Sequence, residues 1–160
     1  MKVLFLHGLE SKPGGTKARF LKENGCEVLN PGLPRESFEE SVQIAQDVID
    51  KESPDVVVGS SRGGAVAMSV NTCGAAVVLI APAWRRFMNE NQRKAWDIRC
   101  EQQKTIVLHS KNDAIVPYAD SEYLNEEWGV KVMDVGDNHR MSDEDALAAL
   151  LDVVQWLGRR

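Results

Sequence analysis

Short apolar runs alternate with amphipathic segments about six times along the chain, and this alternation limits the fold more than any other feature of the sequence. The runs are rich in β-branched residues and nearly continuous, as expected for strands that are covered on both faces. The segments between them are too long for hairpins, so we expect a mostly parallel sheet with helices on both faces. The predicted strands are Val3–Leu6, Val28–Leu29, Val56–Val58, Ala76–Ile80, Thr105–Leu108 and Val130–Met133.

Length and composition suit one globular domain, which we expect to span residues 1–160. The chain has 160 residues, of which 43% are hydrophobic, and a net charge of −5, which argues against a nucleic-acid-binding surface. No apolar run approaches the roughly 18 residues of a membrane span, and the N-terminal run is too short for a signal peptide. The odd, widely spaced cysteines Cys26, Cys73 and Cys100 do not suit disulfides or a zinc site, so we expect a cytoplasmic protein.

Capping residues mark where several helices are expected to begin. Thr16 is a candidate cap for the first helix, and Ser37 with Glu40 forms a capping box for the second. Ser142 is a candidate cap for the last helix, and Gly158 is expected to follow that helix.

The segment Gly59-Ser60-Ser61-Arg62-Gly63 has the pattern G-x-S-x-G between a predicted strand and a predicted helix. The turn is so tight that the residues two before and two after its centre must be small. The turn also lifts the central hydroxyl to the N-terminus of a helix, where positive partial charge favours a developing anion. The pattern alone occurs by chance, but both flanks fit here. Ser61 is therefore the predicted nucleophile, and Ser60 is a weaker alternative.

A serine nucleophile needs a base, and the base needs an acid that orients it. His139 lies in a loop after the last predicted strand, at the same sheet edge as Ser61, and is the predicted base. His7 and His109 end strands and are alternatives with shorter reach. Asp113, just beyond the fifth strand, is the predicted acid. The carboxylates that fit this role less well are Asp120, Asp134 and Asp137.

Two backbone N–H groups are expected to stabilise a developing oxyanion. One belongs to Arg62, the residue after the nucleophile, and the other to Leu9, in the loop after the first strand. Gly8 allows that loop to approach closely, and His7 is expected to brace it by hydrogen bonds. The three histidines lack the spacing of a metal site, so no metal is expected.

These motifs resemble the α/β-hydrolase superfamily along nearly the whole chain. Within it, the opening Leu6-His7-Gly8-Leu9-Glu10-Ser11-Lys12-Pro13 and the segment Gly59-Ser60-Ser61 are most similar to the small, nearly lidless esterases of the YqiA type. The resemblance implies a minimal α/β-hydrolase fold with about six strands in the order 2-1-3-4-5-6. It also implies hydrolysis of carboxylic esters or thioesters without a metal or organic cofactor. Arg62 departs from the leucine, glutamine or methionine that is common after the nucleophile.

A short cap-like segment, residues 83–104, is the only candidate wall for a substrate pocket. Trp84, Phe87 and Met88 recur at helical spacing, which fits either an apolar wall for an acyl group or a helix packed on the body. So short a cap predicts a preference for short acyl chains. The arginines that are candidates for contacting an anionic substrate are Arg62, Arg85 and Arg86.

The sequence thus predicts a serine hydrolase with the triad Ser61, Asp113 and His139, which acts on a small-molecule ester or thioester through an acyl-enzyme. An acyltransferase is an alternative in which another nucleophile replaces water. A non-catalytic small-molecule-binding module on the same fold is the alternative from another class. Loss of a triad member would favour it, and none is missing.

Overall fold

The computed structural model describes residues 1–99 and 104–159, and strands alternate with helices throughout this part. Residues 100–103 of the cap-like segment, which include Cys100, lie outside the described residues. The strands are β1 (Lys2–Leu6), β2 (Glu27–Leu29), β3 (Val56–Ser60), β4 (Ala76–Ile80), β5 (Thr105–His109) and β6 (Lys131–Asp134). The helices are α1 (Thr16–Glu23), α2 (Phe38–Glu52), α3 (Arg62–Ser69), α4 (Trp84–Phe87), α5 (Glu90–Arg99), α6 (Tyr118–Trp128) and α7 (Glu144–Gly158).

The six strands form one sheet in the order β2-β1-β3-β4-β5-β6, and every neighbouring pair is parallel. All five residues of β3 and of β4 are buried, which explains why their sequences read as continuous apolar runs. Both the parallel sheet and the order 2-1-3-4-5-6 expected from the sequence are confirmed.

Alternate residues along the strands belong to two separate hydrophobic cores, one on each face of the sheet. Leu4 and Leu6 of β1 belong to the core under α2, α3 and α6, which also holds Trp84 and Trp96. Val3 and Phe5 belong to the core under α1 and α7. The period of two along a strand thus divides the apolar residues between the two layers of helices.

Ser37 caps α2 as expected, because it is the N-cap and its Oγ accepts a hydrogen bond from the Glu40 N–H at 3.1 Å. Two other caps differ from the predictions. Gly15 is the N-cap of α1, so Thr16 is its first residue.

The predicted cap of the last helix is also one residue away from the observed cap. Asp143, and not Ser142, is the N-cap of α7. Its two carboxylate oxygens accept from the N–H groups of Ala146 and Asp137, at 3.2 and 3.1 Å. The carboxylate can satisfy both donors at once, whereas the Ser142 hydroxyl bonds locally to the Arg140 carbonyl oxygen. Gly158 is the last residue of α7 rather than the residue after it.

None of the helices in the described ranges is long and apolar enough to cross a membrane.

Candidate active site

Ser61 stands alone between the end of β3 and the start of α3, in a strained backbone conformation with φ 56° and ψ −114°. Its N–H donates to the Ile80 carbonyl oxygen at 2.9 Å, and its own carbonyl oxygen accepts from the Gly64 N–H at 3.0 Å. These bonds to β4 and α3 hold the turn in place. Ser60 is the last, buried residue of β3.

Close backbone contacts make the glycines around Ser61 necessary. A Cβ atom on Gly59 would overlap the carbonyl oxygen of Gly63, and one on Gly63 would overlap the carbonyl oxygen of Leu6 in β1. A Cβ atom on Gly64 would lie 2.8 Å from the Cβ of Pro82. The requirement for small residues on both sides of the central serine is therefore confirmed.

The structure brings Ser61, His139 and Asp113 together from three different loops at the carboxyl edge of the sheet. His139 Nε2 lies 3.0 Å from Ser61 Oγ, and His139 Nδ1 lies 2.7 Å from Asp113 Oδ2. The Asp113 side chain is fully buried, whereas that of His139 is 21% exposed. This arrangement allows a proton to pass between the hydroxyl and the imidazole while the carboxylate holds the imidazole in one orientation.

Hydrogen bonds keep the buried Asp113 carboxylate ionised. Its Oδ1 accepts from the N–H groups of Ile115 and Val116, each at 2.8 Å. Burial acts to raise the pKa of Asp113, but the hydrogen bonds from His139, Val116 and Ile115 outweigh burial and hold this pKa below its usual value. Asp113 is thus a charged acceptor for imidazole N–H groups at neutral pH.

A second histidine, His109, reaches the same oxygen of Asp113. Its Nε2 lies 3.0 Å from Asp113 Oδ2 and 3.1 Å from the Val116 carbonyl oxygen, and its Nδ1 lies 2.6 Å from Ser121 Oγ. Because both partners of Nε2 are acceptors, Nε2 carries the proton and Nδ1 accepts from the Ser121 hydroxyl. Burial lowers the pKa of His109 despite the nearby carboxylate, so its ring is neutral at pH 7.

His109 therefore lies behind Asp113 rather than beside Ser61, and its place as an alternative base is not supported by this geometry. The contact of His109 with Asp113 was not predicted from the sequence. The spacing of four residues between His109 and Asp113 is a signal that could have indicated it, because a loop of this length can fold back on its own strand end.

The two expected oxyanion donors belong to segments that adjoin Ser61. Arg62 is the first residue of α3, and the first N–H groups of a helix have no acceptor within that helix. The loop that carries Leu9 approaches Ser61 closely, because a Cβ atom on Gly8 would lie 3.5 Å from the Ser61 Cβ.

His7 braces that loop through both ring nitrogens, as expected. Its Nε2 accepts from the Leu33 N–H at 3.0 Å, which leaves Nδ1 to donate to the Gly8 carbonyl oxygen at 2.8 Å. The ring thereby ties the loop after β1 to the segment before α2.

The Arg62 side chain turns away from Ser61 and is 2% exposed, so it does not contact a substrate anion as one interpretation of the sequence held. Its guanidinium donates to the Pro34 carbonyl oxygen at 2.9 Å and to Ser41 Oγ at 3.2 Å. Its Cζ lies 5.6 Å from the ring centroids of Phe38 and Phe87. These contacts fix α3 to the segment before α2, and burial lowers the pKa of Arg62.

Ser61 and His139 open into a cleft of about 750 Å³, which is bordered by α4 and by the loops that follow β1, β3, β5 and β6. This volume is in the usual range for sites that bind small molecules. The apolar side chains that line the cleft include Leu9, Phe87, Ile115 and Pro117.

Of the three residues expected to form an acyl wall, the structure places only Phe87 at this cleft. Trp84 and Met88 are each 4% exposed and belong to the core. The Trp84 indole N–H donates to the Asp120 carbonyl oxygen at 3.1 Å, which directs the ring into the body. For Trp84 and Met88 the alternative interpretation, a helix packed on the body, is the correct one.

Within residues 1–99 and 104–159, no three or more His, Cys, Asp or Glu side chains are grouped so that they could hold a metal ion.

Three solved structures share this fold over nearly the whole chain. A protein of Xanthomonas campestris pv. campestris assigned to the alpha/beta superfamily of hydrolases is 18% identical, with a TM-score of 0.73 and 97% of each chain covered. The esterase domain of a Rhodothermus marinus protein is 20% identical, with a TM-score of 0.73 over 99% of this chain and 86% of that chain. A monoacylglycerol lipase of Paleococcus ferrophilus is 17% identical, with a TM-score of 0.73 over 99% of this chain and 94% of that chain.

At these identities the likeness establishes the fold, which is that of the α/β hydrolases. No curated protein matches the sequence at a significant level. The profile of a protein family matches residues 2–97, which is more than half of the chain and includes β1, the turn at Ser61 and α4. This match confirms the resemblance to the YqiA-type proteins. The chain therefore belongs to the uncharacterised protein family UPF0227.

Proposed function

We propose that this protein is a serine hydrolase that cleaves carboxylic esters or thioesters through an acyl-enzyme. The observation that carries the proposal is the line of short contacts from Ser61 Oγ to His139 Nε2, at 3.0 Å, and from His139 Nδ1 to Asp113 Oδ2, at 2.7 Å. The strained turn at Ser61 and the cleft beside it support the same conclusion, because they expose a hydroxyl to a bound molecule.

In the first half of the reaction, Ser61 Oγ attacks the acyl carbon while His139 Nε2 takes the hydroxyl proton. Asp113 accepts from Nδ1–H and stabilises the imidazolium that forms. The N–H groups of Leu9 and Arg62 donate to the oxyanion of the tetrahedral intermediate. The bond from carbon to the leaving oxygen or sulfur then breaks, and His139 gives its proton to the leaving group.

In the second half, water replaces the leaving group. His139 takes a proton from the water as the water oxygen attacks the acyl carbon, and the same two N–H groups stabilise the second oxyanion. The bond to Ser61 Oγ breaks, His139 returns the proton to that oxygen, and the carboxylic acid is released. An acyltransferase would need another nucleophile in place of water, and the open cleft favours water.

Labelling with a fluorophosphonate, followed by peptide mapping, tests the nucleophile. We expect the label on Ser61, and we expect Ser61→Ala to lose labelling and to lower kcat/KM for a p-nitrophenyl ester by at least about 10⁴-fold. Ser60→Ala is the matched control one residue away and is expected to keep the label. Full labelling of Ser61→Ala would overturn the assignment. A folded wild-type protein that neither takes the label nor hydrolyses esters would favour the binding module.

A further inference from the structure

The cleft beside Ser61 is positively charged although the chain as a whole is negatively charged. Six cationic side chains and two carboxylates line the cleft, a surplus of four positive charges, whereas the whole chain has a net charge of −5. The rest of the molecule therefore carries nine more negative than positive charges. The cations are Lys12, Lys17, Arg35, Arg85, Arg86 and Arg140.

Two of these cations are neutralised by the two carboxylates of the cleft. Arg35 pairs with Glu10 through two contacts of 3.0 and 3.1 Å, and Arg85 pairs with Asp120 at 2.7 Å. The cations that form no ion pair in the described part of the chain are Lys12, Lys17, Arg86 and Arg140, and the charge of Arg86 adds to that of Arg35 in lowering the pKa of Glu10. The surplus charge therefore comes from side chains that are not paired.

Lys17 and Arg140 lie next to each other on the His139 side of the cleft. Lys17 Nζ donates to the Arg140 carbonyl oxygen at 2.6 Å. Burial, assisted by the charge of Arg140, lowers the pKa of Lys17 to about 8. Two like charges thus lie close together, with Lys17 half-buried and Arg140 exposed, and a bound anion would relieve their repulsion.

The position of His139 decides which part of a substrate would meet these cations. His139 must face the leaving group, because it gives that group its proton. Arg140 follows His139 in the chain and lines the same cleft. We therefore expect the alcohol or thiol that leaves the acyl carbon to depart on the side of the cleft that holds Arg140 and Lys17.

We infer that the protein acts on esters or thioesters whose leaving alcohol or thiol carries an anionic group, a carboxylate or a phosphate, and that Lys17 and Arg140 bind this group. The inference rests on the proposed function, since it names the substrate class of the same site. A positively charged cleft in a negatively charged protein raises the local concentration of anions and repels them from the rest of the surface.

Three chromogenic esters test the inference. The first is the neutral p-nitrophenyl butyrate. The second is the butyrate ester of 5-hydroxy-2-nitrobenzoate, which carries a carboxylate on the leaving group. The third is the p-nitrophenyl monoester of adipic acid, which carries a carboxylate on the acyl group. We expect kcat/KM to be about tenfold higher for the second ester than for the first, and we expect high salt to reduce this preference. An equal or lower value, or a preference only for the third ester, would overturn the inference.

Substitutions at Arg140 connect the preference to the proposed residues. We expect Arg140→Gln to lower the ratio of kcat/KM for the second and first esters by about threefold, and Arg140→Lys to keep most of it. Arg159→Gln is the matched control. Arg159 follows α7, and the last residue of α7, Gly158, lies beside Met1 at the amino ends of the strands, away from the cleft. Loss of the Arg159 charge is therefore expected to leave the ratio unchanged. Equal effects at Arg140 and Arg159 would contradict the inference.

The failure of this inference can be distinguished from failure of the proposed function. Hydrolysis of the neutral ester through Ser61 without any preference for the second ester overturns the inference and leaves the proposed function standing. A protein that hydrolyses none of the three esters overturns the proposed function and, with it, the inference.

Discussion

Two histidines, His109 and His139, contact the same oxygen of Asp113, but their surroundings differ. His139 contacts Ser61 and is partly exposed, so its ring can exchange a proton with a substrate. His109 is fully buried, and both of its ring nitrogens are occupied by fixed partners. We therefore expect His109 to be a positioning residue that acts through Asp113.

Replacing His109 tests this positioning role. We expect His109→Leu to lower kcat/KM by about 10- to 100-fold, because Asp113 loses one of the donors that set its position. His109→Gln can present an N–H near the same place and is expected to recover a large part of the activity. Ester hydrolysis of both variants, with their folding checked by circular dichroism, provides the measurement. Equal activities of the two variants would show that the hydrogen bond to Asp113 is not important.

The buried His109 also makes stability depend on pH. Burial lowers the pKa of His109 in the folded protein, whereas an unfolded chain has the ordinary histidine value of about 6.5. The unfolded state therefore binds more protons below this value, and the free energy of unfolding decreases as the pH falls through it. Urea unfolding at about pH 7.5 and about pH 5.5 should show a smaller decrease for His109→Gln than for the wild type. Asp113 does not interfere, because its folded pKa lies below its usual value and its contribution is lost only in more acidic solution.

The sequence located Ser61, Asp113 and His139 because each follows a strand, and strand ends of a parallel sheet meet at one edge. It did not reveal the place of the Arg62 side chain. The G-x-S-x-G pattern concerns the backbone of the turn, whereas the contacts of Arg62 depend on Pro34 and Ser41, which lie more than twenty residues away.

At the scale of elements, the contact of α3 with β1 limits the residues allowed after Ser61. We expect Gly63→Ala to lower the free energy of unfolding by about 1–3 kcal/mol, because its Cβ atom would overlap the Leu6 carbonyl oxygen and neither backbone can easily move. Gly32→Ala is the control, since a Cβ atom there would lie 3.9 Å from Pro13 Cγ, an ordinary contact. Chemical denaturation measures both variants. A Gly63→Ala protein as stable as Gly32→Ala would contradict this account of the turn.

The exact ends of the helices were harder to predict than their presence. Helix α2 begins after Ser37 as expected, but Asp143 caps α7 in place of Ser142. Adjacent residues of similar capping ability cannot be separated by pattern, because the choice depends on a distant partner, here the Asp137 N–H. For Trp84 and Met88, helical spacing indicated that the two side chains share one face. It did not indicate whether that face packs on the core or lines the cleft.

At the scale of the whole molecule, strand order explains where the site lies. The chain goes from β1 to β2 on one side and then crosses to β3 on the other, so the loops after β1 and β3 separate at this point. Open parallel sheets bind ligands where the strand order reverses. Leu9 follows β1, and Ser61 and Arg62 follow β3, so the nucleophile and the proposed oxyanion donors belong to the two loops that separate here. The resemblance to a known family implied the order, whereas the long connections between the apolar runs indicated only that the strands are parallel.

The openness of the cleft leads to a last prediction, which concerns acyl-chain length. Each buried methylene group contributes about 0.8 kcal/mol, so affinity rises with chain length only while apolar surface is available. Trp84 and Met88 are in the core, which leaves Phe87 as the large apolar side chain of α4 at the cleft. We therefore expect kcat/KM for p-nitrophenyl esters to be highest for short acyl chains and to fall for long ones.

Phe87→Ala is expected to weaken this preference, because Phe87 is half-buried and would contact the first few methylene groups. Ile98→Ala removes an exposed apolar side chain of α5 and is the control that should leave the profile unchanged. The test is to measure kcat/KM for p-nitrophenyl esters from acetate to palmitate, for the wild type and both variants. A profile that rises through the longest chains would mean that more apolar surface meets the acyl group than Phe87 and its neighbours in the cleft provide.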